Sequence, residues 1–178
     1  MAGAFNFTRR KWIWISAILV FLSVFFIFLP VKKSLTFQDF HSQEVLAYLP
    51  VGEDQIFQLE YTHSIHRSTV IDTYIILSGN RIQQTSLQFE DMAIGMPSNA
   101  LLKGERFVEK DGKYFIMDMN RVFPSINLST SQVVISHKIN THGKQYELHK
   151  FIEPGTLIKI EVKHLTLLRL LKGVNMNG

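Results

Sequence analysis

Tyr61, His63 and Asp72 are the residues whose types and spacing come nearest to a chemical site: a phenol, an imidazole and a carboxylate within twelve positions. They fall in two alternating apolar segments, 55–64 and 69–77, which read as a β-hairpin. A four-residue loop at 65–68 pairs Ser64 with Thr69, Tyr61 with Asp72, Leu59 with Tyr74 and Phe57 with Ile76. In that register Phe57, Leu59, Tyr61 and His63 share a face with Val70, Asp72, Tyr74 and Ile76. A carboxylate on a dry face is costly without donors, so Asp72 is expected to accept from the Tyr61 hydroxyl, the His63 ring, or both. Two uses stay open: a structural network that fixes the register, or the floor of a small-ligand pocket whose imidazole Asp72 tunes.

Hydrolysis does not fit these residues. Ser64 and His63 complete the composition of a Ser-His-Asp triad with Asp72, but neighbours on a strand point to opposite faces, so His63 cannot take the Ser64 proton. His63, His66 and Asp72 match no strong zinc spacing. No catalytic residue, metal or cofactor is therefore expected. The sequon Asn127-Leu128-Ser129 is a common chance match.

The stretch Phe89-Glu90-Asp91-Met92-Ala93-Ile94-Gly95-Met96-Pro97 reads as a shaped loop after a strand, since glycine opens backbone angles and proline stiffens the chain beyond it. Glu90, Asp91, Gly95, Met96 and Pro97 are thus candidates for contacting a partner; a plain corner between sheets is the structural alternative.

Short alternating segments position these residues. Strands are predicted at 35–40, 44–49, 55–64, 69–77, 81–90, 113–119, 121–128, 132–138, 146–151 and 157–163, with turns at 78–80, 111–112, 142–143 and 154–155. In the last strand Ile158, Ile160 and Val162 face one way and Lys159, Glu161 and Lys163 the other. The expected fold is all-β, an antiparallel sandwich or barrel-like domain. The tail at 164–178 leaves the strand pattern: Leu165, Leu168 and Leu171 fit one face of a short helix closed by Gly173. That helix could cap the domain or touch lipid headgroups or a partner's helix.

Ahead of the domain, Trp12 to Pro30 is 19 residues without a charge. A helix of that length spans about 28 Å, enough for one membrane crossing. Trp12 and Trp14 suit an interface, and Phe28-Leu29-Pro30-Val31 lacks the small residues of a signal-peptide cleavage site. Arg9, Arg10 and Lys11 precede the span and Lys32 and Lys33 follow it, which favours a cytoplasmic N-terminus. The expected organisation is a cytoplasmic tail at 1–11, a transmembrane anchor at 12–30, a linker at 31–34, an exported β domain at 35–163 and the tail at 164–178. From residue 34 onward 14 Lys and Arg stand against 15 Asp and Glu. The basic excess therefore belongs to the membrane flanks, which argues against a nucleic-acid surface. The chain has no cysteine, so a lipoprotein anchor is excluded.

At Phe57-x-Leu-x-Tyr-x-His63-Ser64, Val70-x-Asp72-x-Tyr74 and Phe89 through Gly95-Met96-Pro97, the chain resembles a small bacterial family, the domain of unknown function 1850. The resemblance runs from about 35 to 162. It departs where His66 stands for the usual acidic residue and Ala93 for the usual glycine. Members of that family are commonly encoded beside TAXI-type TRAP transporters, whose soluble receptor delivers an organic anion to a membrane permease. The resemblance implies a non-enzymatic accessory protein of such a transporter, with permease or receptor as partner. A membrane-tethered, extracytoplasmic small-ligand-binding domain is the alternative.

Overall fold

The computed structural model describes residues 3–92 and 96–178, with side chains of the first helix described from Lys11. That helix, α1, spans Gly3–Phe28. It stops two residues short of the expected anchor end, because Pro30 cannot donate an amide to a helix and disfavours helical backbone at Leu29. Pro30 instead opens the first strand, β1 (Pro30–Asp39), so the expected linker at 31–34 is strand. The uncharged part of α1, Trp12 to Phe28, rises about 26 Å. Among the described residues no helix is long and apolar enough to cross a membrane.

The body is mostly β-sheet, in two layers. In the first, β1 lies between β2 (Val45–Pro50) and β12 (Leu157–Thr166), with β9 (Ile126–Ser129) beyond β12 and the two-residue β13 (Val174–Asn175) running parallel to β2. The second layer runs β11 (Lys144–Glu147), β10 (Lys138–Thr141), β3 (Ile56–Thr62), β4 (Thr69–Ile76), β5 (Ile82–Phe89), β7 (Lys113–Met117), β6 (Arg106–Lys110). The short β8 (Arg121–Phe123) also pairs with β5. Leu35, Phe37, Ala47, Leu49, Ile158, Ile160 and Val162 of the first layer meet Phe57, Leu59, Tyr74, Ile76, Ile82 and Ile139 of the second in one buried core. This is the face-to-face packing that alternating strands require.

Several expected strands move. The segment 121–128 is divided between β8 and β9, which belong to different layers. Residues 132–137 are irregular and the strand begins at Lys138. The last long strand continues to Thr166, and only Leu167–Lys172 of the tail is helical, as α2. The second face of β12 is not wet. Glu161 is buried, accepts from Gln38 Nε2 at 2.7 Å, and pairs with Lys159 at 3.2 Å and with Lys163. Ser34, Thr36 and Gln38 of β1 are buried on the same side.

Candidate functional site

The hairpin β3–β4 keeps the expected faces but not the expected register. Phe57 pairs with Tyr74, Leu59 with Asp72 and Tyr61 with Val70, a slip of two residues that leaves the paired side chains on their predicted sides, while His63 lies beyond the end of β3 at Thr62. The loop has four residues, but they are 64–67: His63 N–H donates to Ser68 O at 2.8 Å and Arg67 N–H to His63 O at 3.0 Å. Arg67 takes φ 57°, and this left-handed residue closes the loop one position earlier than polarity alone suggests.

Asp72 lies on the core side of β4, opposite Leu59 on β3 and Leu87 on β5. Its donor is neither Tyr61 nor His63; Gln84 Nε2 donates to Asp72 Oδ1 at 2.5 Å. A β-bulge brings Gln84 there. Thr73 pairs with Ser86 but Tyr74 with Gln84, so Thr85 is the extra residue, and its insertion turns both Gln84 and Leu87 inward. Met119 N–H donates to the Thr85 carbonyl at 3.0 Å, and Thr85 Oγ1 donates to Thr73 O at 3.2 Å. The bulge is therefore hydrogen-bonded on both sides.

Beside Gln84 on β8 stands Arg121. Its guanidinium forks onto Glu105, Nε to Oε1 at 2.7 Å and Nη2 to Oε2 at 2.8 Å, and the Glu105 side chain is 2% exposed. The amides of Leu101 and Leu102 also donate to Glu105 Oε2, both at 3.1 Å. The Arg121 hydrogen bonds hold Glu105 below the usual carboxylate range. Asp72 behaves oppositely: burial pushes it from 3.8 up to about 6, against the pull of the Gln84 hydrogen bond and the Arg121 charge. Burial, then the Asp72 charge, pushes Tyr61 up to about 12, and Tyr74 is raised for the same reasons.

Of the three predicted residues, Tyr61 and Asp72 are brought within electrostatic reach of each other, while His63 turns into the hairpin loop. There its Nδ1 accepts from the His66 amide at 3.5 Å and its ring lies 5.8 Å from that of His66. The imidazole stacked on Tyr61 belongs to His137, with ring centroids 5.7 Å apart, and burial lowers its pKa. Gln84, Glu105, Arg121 and His137 are residues that sequence reasoning missed. None has a local signal, since a bulge, a separate short strand and an irregular segment bring them in. Among the described residues no three His, Asp or Glu side chains are grouped to hold a metal.

The loop after β5 is tied inward at both of its described ends. Glu90 Oε2 accepts from the Thr69 amide at 3.2 Å and Oε1 pairs with Lys113 at 3.3 Å. Met96 packs on the small core of Val70, Phe89, Ile116 and Met119. Pro97 is half-buried and Asp91 is exposed; Gly95 lies outside the described residues.

The arrangement is a buried polar network with a carboxyl group poised near neutrality. Because Asp72 sits at about 6 in the fold against 3.8 for the free side chain, the folded protein holds its proton more tightly than the unfolded chain. That stabilisation is fully present below about pH 4 and is lost as pH rises through 6, roughly 3 kcal/mol in all. Asp72→Asn keeps an oxygen for Gln84 and has no charge to bury. In urea titrations the wild type should lose stability relative to this variant between pH 4 and pH 7; parallel profiles would contradict the raised value.

Residues 57–148 match the family profile of the domain of unknown function 1850, a shorter stretch than the 35–162 over which the motifs suggested resemblance. No curated protein and no solved structure matches the chain.

Proposed function

The chain belongs to the family of the domain of unknown function 1850, and from that premise we propose that it is a non-enzymatic, membrane-anchored accessory protein of a TAXI-type TRAP solute transporter. The observation that carries the anchoring is α1 itself. From Trp12 to Phe28 it has no charge and twelve Ile, Leu, Val and Phe, and these large side chains stand exposed. About seventeen residues are the lower limit for a span. The long stem of Lys11 can extend it into the headgroup layer, and Trp12 and Trp14, 70% and 67% exposed, suit the interface at that end. The cations Arg9, Arg10 and Lys11, in α1 ahead of its uncharged part, outnumber Lys32 and Lys33 beyond it, which favours a cytoplasmic N-terminus and an extracytoplasmic β domain.

The transporter association rests on family context, and the site is consistent with a role without chemistry. Asp72 is engaged by Gln84, Arg121 by Glu105, and Ser64 sits in an exposed loop apart from both. The alternative, a small-ligand site at Tyr61, His63 and Asp72, has less support, because His63 is drawn away into the hairpin loop. Mild detergent extraction of a tagged full-length chain should bring down the TRAP permease or its receptor. A tagged protein that recovers neither would remove the transporter association.

A further inference from the structure

α2 is pinned to the first sheet by a single inward residue. Leu170 packs with Val45, Tyr48 and Leu165, and the Tyr48 hydroxyl donates to Leu170 O at 3.3 Å. Thr166 Oγ1 caps the start by accepting from the Arg169 amide at 3.3 Å, and Gly173 N–H donates to Arg169 O at 3.0 Å at the end. A Cβ at Gly173 would lie 3.0 Å from Val45 Cγ1, so the chain leaves the helix pressed against β2. Leu168, Arg169 and Lys172 border an open groove with Gln43, Glu44 and Val45 at the head of β2, and the outer side of α2 faces away from it. Leu167, Leu168 and Leu171 are exposed, Leu171 to 84%. At 100° per residue they occupy one face, with Lys172 at its margin and Arg169 beyond it.

The position of that face identifies what it meets. Thr166, the residue before α2, pairs with Pro30, two residues after α1 ends. The two helices also lie within 8 Å of each other between Cα atoms. The exposed leucines therefore adjoin the exposed Phe28 and Val31 at the foot of α1, with Lys32 nearby. Leucines beside a membrane helix, bordered by cations and with no carboxylate on α2, have the composition of a segment lying in the lipid interface.

We propose that α2 is a second lipid contact, its Leu167, Leu168 and Leu171 seated in the interfacial layer and Arg169 and Lys172 on anionic headgroups, so that the domain is held against the membrane rather than swinging from α1. This rests on the anchoring reading above. The cysteine-free sequence permits single labels in the full chain: Leu171→Cys, Phe21→Cys within α1, and Val133→Cys. Val133 is 84% exposed near the Leu157 end of β12, about 30 Å along that strand from α2. Each variant carries a polarity-sensitive fluorophore and is reconstituted into mixed phosphatidylcholine–phosphatidylglycerol vesicles. The label at position 171 should be shielded from aqueous iodide at least threefold relative to that at 133, and quenched by lipids bearing a doxyl group near the headgroup. Iodide access equal to that at 133, with the label at 21 shielded, overturns the α2 contact and leaves the anchor standing. Shielding at 171 without quenching by the lipid also overturns it, since a protein neighbour would then cover the face. An open label at 21 removes the anchor and this inference with it.

Discussion

Replacing Leu19, Phe21 and Val24 together by arginine is expected to abolish membrane retention of the full chain. The twelve Ile, Leu, Val and Phe between Trp12 and Phe28 each favour insertion by about 0.3 to 0.6 kcal/mol, roughly 5 kcal/mol together. An arginine near the centre of a span costs about 2.5 to 3.5 kcal/mol and also forfeits the residue it replaces. Three such changes total about 8 to 12 kcal/mol, which exceeds everything the helix supplies. Fractionation should find the triple variant in the soluble or aggregated material. Retention equal to wild type would mean that something other than α1 holds the protein at the membrane.

Phe57→Ala is expected to cost about 3 to 5 kcal/mol of folding stability. Phe57 is 1% exposed in the core between the sheets, and its ring stacks on Tyr74 with centroids 5.2 Å apart and planes 19° from parallel. Removing it opens a cavity where both layers meet, beside Tyr74, which shares the inward face of β4 with Asp72. A domain stable by only ~5 to 15 kcal/mol has little reserve for that loss. Phe57→Leu refills part of the volume and should cost much less, so the pair gives a graded series. Urea unfolding of the full chain in detergent, followed by far-ultraviolet circular dichroism, reads both. A midpoint unchanged by Phe57→Ala would place the core elsewhere.

The sequence made faces legible better than partners. Except at His63, which lies past the end of β3 and turns into the loop, alternation at 55–64, 69–77 and 157–163 identified the inward sets correctly, because burying one face of a strand constrains its parity strongly. It could not fix the hairpin register: the loop closes where Arg67 adopts φ 57°, and an arginine does not announce that conformation. The polar site failed to appear for a related reason. Gln84 reaches Asp72 only through the bulge at Thr85, and nothing in Gln83-Gln84-Thr85-Ser86 marks which residue is extra. Likewise Arg121 and Glu105 are polar residues of ordinary neighbourhoods until β8 docks on β5. Glu161 misled because long lysine stems on either side cover it, so alternation of charge did not mean exposure. At α1, a count of uncharged residues overran the helix at Pro30, where the missing amide decides the boundary.

The functional reading depends above all on α1 crossing the bilayer and leaving the β layers on the outer side. Protease added to intact spheroplasts that express the full chain with a tag after Gly178 tests it most directly. The tag should be lost from intact spheroplasts while an α1 fragment stays in the membrane pellet through an alkaline wash. A tag that survives until lysis, or a chain that the wash releases whole, would contradict it.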